Sequence, residues 1–186
     1  MLFDTFGPGD SYDTGHYWTI GGGWTQGEQF SFAGSQSYLL DSIELGAGVC
    51  TGDNQLTVSL MDDAAGQPGA VLESFSFIGQ MGSVWTLNPP VVGVSVSRPL
   101  LTPDTQYWLV ASSASDGIKG WNWSSPVVEG LHTKSLLGSA WNSDSATLGA
   151  CRINGTPLAV VPVPSAIVLV MIGLGSAHGL LRRRTA

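Results

Sequence analysis

The chain has 186 residues, 25 of them Gly and 10 Pro, with 43% apolar and 11% charged residues. That is one domain of ordinary size with a short appendage, and the apolar and Trp content excludes a disordered chain. All fourteen acids and four cations (Arg98, Lys119, Lys134, Arg152) lie in 1–160, a net −10, while 161–186 carries three arginines and no acid, a net +3. A body this acidic excludes nucleic acid as a partner, because that affinity comes from neutralising phosphates.

Met1-Leu-Phe-Asp-Thr-Phe6 lacks the basic start, apolar run and small-residue cleavage site of a secretory leader. Residues 1–27 are rich in Gly and aromatics and predict an N-terminal strand and a covering loop. Gly21-Gly-Gly23 has no Lys-Ser/Thr and no helix signal behind it, so it reads as a flexible turn and not a phosphate loop.

From Leu39 to Arg152 the pattern has period two. Leu56, Val58 and Leu60 share one face of a strand, Phe75 and Phe77 share another, and Val92, Val94 and Val96 a third. Thr105–Ala111 is apolar on both faces and predicts a buried central strand. Turn signals separate the runs at Gly46–Gly48, Thr51–Asn54, Asp62–Gly69, Asn88–Pro90 and Thr102–Asp104. Eight or more short strands at this spacing predict an all-β domain over 1–157, an antiparallel sandwich of jelly-roll kind.

Little chemistry stands out in that body. His16 and His132 have no Gly-x-Ser-x-Gly elbow to serve and are expected at the surface. Asp53-Asn54 and Asp62-Asp63 open loops, where turn chemistry accounts for them, so neither metal, cofactor nor catalysis is expected. Trp121 and Trp123 project from one side of a strand, with Asn122 between them. They are either sandwich core or a platform on which sugar rings stack.

Val160-Val-Pro-Val-Pro-Ser165 is an extended proline segment, so 158–165 reads as a linker. The run 164–181 carries no charge and, as a helix, would be about 27 Å long, close to the ~30 Å core of a bilayer. Arg182, Arg183 and Arg184 follow it and place the C-terminal end in the cytoplasm by the positive-inside rule, with the acidic body outside. Residues 166–186 are therefore expected to form a transmembrane helix and a short basic cytoplasmic tail.

Taken together, Val161-Pro162-Val163-Pro164-Ser165, the Gly- and Leu-containing span and the closing arginines resemble the PEP-CTERM sorting signal of Gram-negative bacteria. Val163 stands where that family usually has Glu. The resemblance implies export through an N-terminal signal peptide preceding the start shown. It also implies recognition by exosortase, a membrane enzyme, and delivery to the cell surface or exopolysaccharide. Phe3–Phe6, Leu60–Gly69, Leu101–Val110 and Gly120–Trp123 resemble the choice-of-anchor domains that accompany such tails, with the R type as the candidate. No activity is transferred by that likeness.

Cys50 and Cys151 belong to no metal-type cluster, which leaves one disulfide or two free thiols. Export favours a bridge, so a Cys50–Cys151 disulfide is expected. The function expected is that of a non-enzymatic surface or matrix protein. Its partners would be the membrane, a processing enzyme and, in the alternative reading, a polysaccharide bound by Trp121 and Trp123.

Overall fold

The computed structural model describes residues 1–159. The sorting motif, the expected helix and the arginine cluster lie outside the described residues. The described chain is all-β. In order it forms β1 (Phe3–Asp4), β2 (Tyr12–Gly21), β3 (Trp24–Phe30), β4 (Tyr38–Leu45), β5 (Ala47–Gly52), β6 (Gln55–Asp63), β7 (Pro68–Ile78) and β8 (Gly82–Ser83). It continues with β9 (Val91–Val94), β10 (Leu100–Leu101), β11 (Tyr107–Ser112), β12 (Gly117–Ser124), β13 (Glu129–Leu136), β14 (Asn142–Thr147) and β15 (Cys151–Pro157). A single 3-10 turn, Pro8–Asp10, is the only helical piece among the described residues.

Two sheets result. One has five strands, β1-β15-β4-β10, with β9 also on β4. The other has ten, β7-β6-β11-β3-β2-β12-β5-β8, with β13 and β14 added beside β3. Leu40, Ile43, Leu45 and Ile153 of the first sheet and Ile20, Leu56, Leu60, Leu109 and Trp121 of the second form one buried cluster. Burial of this apolar set is the main source of stability.

The alternation explains most placements. β6 buries Leu56, Val58 and Leu60, β7 buries Phe75 and Phe77, and β11 lies between β6 and β3 with five of its six residues buried. In β9 the shared face of Val92 and Val94 is the outer one, as is Val96 beyond the strand, while Val91 and Gly93 face inward. A Cβ at Gly93 would strike the Phe75 ring, so the inward position tolerates only Gly, and its neighbours take the outer side. The first 27 residues hold β1, the long β2 and the first half of β3, not a covering loop. Gly21, Gly22 and Gly23 all have positive φ (90°, 60° and 92°), so the triplet is a fixed reversal that L side chains disfavour. The break expected at Gly46–Gly48 falls at Gly46, where the chain leaves β4 of the five-stranded sheet and enters β5 of the ten-stranded one.

Arg152 fastens the N-terminal strand to the five-stranded sheet. Its guanidinium donates to Asp4 (3.0 Å), Asp10 (2.6 Å) and Glu44 (3.0 Å), and stands over the Phe6 ring. These three carboxylates hold it more firmly protonated than a free arginine. Near the end of the described residues, the Leu158 N–H donates to the Ser37 carbonyl and the Leu158 carbonyl accepts from the Gln36 amide.

Candidate functional site

β2 and β3 follow one another through the glycine reversal but pair at a single position, Gly21 with Trp24. Beyond it they part. β2 continues along β12, and β3 runs between β11 and β13. The parting opens a cleft of about 370 Å³ lined by Tyr17, Trp18, Thr19, Trp24, Gln26 and Lys134.

Its floor is tied together. Gln26 donates to the Thr19 carbonyl (2.6 Å), and its side-chain oxygen meets His132 Nε2 at 3.0 Å. The Trp18 indole lies on the His132 ring and donates to the Thr147 carbonyl at 2.9 Å. Trp123 leans on Trp18 from one side and stacks on His16 on the other. The order His16, Trp123, Trp18, His132 is thus a continuous row of rings.

Beneath the floor lies a polar group with few partners. Glu28 pairs across the strands with His132 and is fully enclosed. One of its oxygens accepts from the Gly149 N–H; the other, with Trp123 Nε1 and His132 Nδ1, has no hydrogen bond among the described residues. Burial pushes the Glu28 carboxyl well above the ordinary range, with the Gly149 bond opposing in part, so it is held neutral over a wider pH range. Burial also depresses His132, to about 4. Asp144 Oδ1 lies 3.5 Å from His132 Nδ1, too far for a good hydrogen bond to restore the charge.

The expected site residues fall elsewhere or apart. His132, expected at the surface, is fully buried, because its strand pairs beside β3 and Trp18 stacks on its ring. Trp121, half of the expected sugar platform, is also fully buried. Its indole donates to the Ala150 carbonyl at 3.0 Å, and Gly149 presses against it. Trp123 is half-buried within the row of rings, so the two indoles form no exposed pair. The expected disulfide is also corrected: both cysteines are free. Cys151 points into the core, against Thr5. Val49 packs on the core, so Cys50 beside it faces outward, towards the Tyr17 hydroxyl. The ten-stranded sheet stands between the two thiols.

The loop acids close their own turns. Asp63 accepts from Gly66 N–H (2.9 Å), Trp108 Nε1 (2.8 Å) and Gln29 Nε2 (3.0 Å). Burial raises its carboxyl, but these donors outweigh that and hold it below the usual range. Among the described residues no three His, Cys, Asp or Glu side chains converge as metal ligands.

Sequence reasoning did not single out Tyr17, Trp18, Trp24, Gln26 or Lys134. The available signal was the placement of Tyr17-Trp18 and Trp24 on either side of three glycines. Compared with protein-family models and with curated proteins, the chain matches none.

Proposed function

We propose that the chain is an exported structural or interaction protein of the bacterial cell surface, its acidic β body held outside on a C-terminal membrane-sorting tail. In this reading the curled sheets form a jelly-roll-like sandwich, 158–165 is a linker, and 166–186 is one transmembrane helix with a basic cytoplasmic end. The tail resembles the PEP-CTERM signal, so an exosortase-type enzyme is its processing partner, and the released body joins the surface or extracellular polysaccharide.

One juxtaposition carries the reading. The last described strand of the all-β body ends at Pro157, and the sequence from 159 through 181 carries no charge and is followed by three arginines. Such a stretch is long enough for a bilayer, and the arginines give it a direction. The burial of Trp121 also favours a structural body over one built around that indole pair.

Protease added to intact cells that make the protein from its own locus tests the topology. The body should be digested or shed while a cytoplasmic control survives. A body protected until the cells are lysed contradicts the proposal.

A further inference from the structure

We infer that the cleft between β2 and β3 is a binding site for a neutral oligosaccharide. This deepens the surface-interaction reading by giving the body a ligand class.

The shape comes from topology. Two successive strands part after one shared pair, leaving a volume of about 370 Å³, at the lower end of the ~300–1,000 Å³ typical of small-ligand sites. Trp24 is the aromatic wall, and among the described residues no other ring stacks on it. Trp18, held between His132 and Trp123, closes the floor. Tyr17, next to Trp18 on β2, turns to the other side of the strand, towards Trp85 (5.1 Å, 75°) and Cys50, and meets the cleft only at its rim.

The polar groups suit a hydroxylated ring. Gln26 uses both ends of its amide within the floor, so it fixes the cleft and does not reach for ligand. Lys134 is the single charged residue in the lining, and among the described residues its ammonium is paired with Asp144 alone, at 3.8 Å. Donor capacity therefore remains beside Trp24. A sugar ring is apolar on its faces and hydroxylated at its rim, and matches an indole wall with a donor at the edge.

Charge selects within that class. The body carries a net −10 over 1–160, and Asp144 balances Lys134 locally. An acidic polysaccharide would be repelled at long range with no cationic patch to recover the loss. The fastened floor means that little side-chain freedom is lost on binding.

Affinity electrophoresis of the full-length protein, in a detergent without a sugar headgroup, tests the inference. Gels would contain a mixed-linkage β-glucan, a galactomannan, dextran or polygalacturonate. Retardation is expected on at least one neutral polymer and not on polygalacturonate, and should persist in 0.5 M NaCl, at roughly ten times the ionic strength of low-salt gels. Trp24→Ala should weaken it about tenfold, the loss of a main aromatic contact. Lys134→Gln should weaken it by a smaller factor. If Trp24→Ala does not fold, Trp24→Leu and Lys134→Gln carry the test. The inference is overturned if no neutral polymer retards the protein, if the folded variants bind unchanged, or if polygalacturonate binds best. None of these outcomes bears on where the protein resides, so failure here leaves the topology experiment intact.

Discussion

The Trp18 indole lies flat against the His132 imidazole, ring centroids 3.9 Å apart and planes within 17°. Trp18 comes from β2 and His132 from β13, strands that do not pair with each other. The stack therefore bridges the place where β2 and β3 separate, and makes a histidine part of the interior.

That histidine predicts an acid-sensitive fold. His132 has an ordinary value of 6.5 and about 4 in the native protein, so the unfolded chain binds the extra proton. Stability from this group is full above about pH 6.5 and is lost as pH falls towards 4, in all roughly 3 kcal/mol. Urea unfolding between pH 4 and 7 should show that slope, and His132→Phe should flatten it. An unchanged slope in the variant would assign the sensitivity to another group.

Glu28 acts in the opposite sense. Its folded value lies above the unfolded 4.5, so its contribution is present at low pH and is lost as pH rises through the raised native value. Glu28→Gln keeps the shape and an acceptor for Gly149 but removes the titration. The variant should gain stability relative to the wild type as pH rises through the raised native value. A gap that narrows with pH would contradict a neutral buried carboxyl.

Free thiols are expected in place of a bridge. Titration of unfolded, unreduced protein should find both Cys50 and Cys151. In the native state Cys50, half-buried, should react before Cys151, which is 1% exposed; burial raises both thiols, so both reactions should be slow at neutral pH. Absence of thiols would restore the disulfide.

The β9 edge invites self-pairing. Val92 and Val94 are 48% and 69% exposed on a strand that, among the described residues, pairs with β4 alone, and Val96 just beyond it is 90% exposed. Uncharged, β-branched edges of this kind seed aggregation. Val94→Lys should raise the concentration at which light scattering begins and change unfolding stability by no more than about 0.5 kcal/mol. A large loss of stability would mean that the side chain is packed.

β6, β7 and β11 were legible because each is half or fully buried and its alternation reports that directly. β9 shows the limit of that signal: alternation reveals two faces but not which one meets the core, and Phe75, sixteen positions earlier, decides it. Trp121 and Trp123 share a spacing yet differ in burial, because Gly149 and Ala150 return from the far end of the chain to cover Trp121. No local pattern marks Glu28 or His132 as interior, and the cross-strand pairing of β3 with β13, with Trp18 stacked on His132, encloses them. The cleft depends on where two consecutive strands stop pairing, which no local pattern records. The sharpest sequence signal, the tail, lies outside the described residues.

The central claim is that this tail directs the body to a membrane. The direct measurement is fractionation, with intact mass, of the full-length protein beside a chain ending at Ala159. That end point retains the bonds of Leu158 to Ser37 and Gln36. The full-length protein should sediment with membranes or be clipped near Pro164, while the shortened chain stays soluble. Full-length protein that is soluble and uncut would contradict the account.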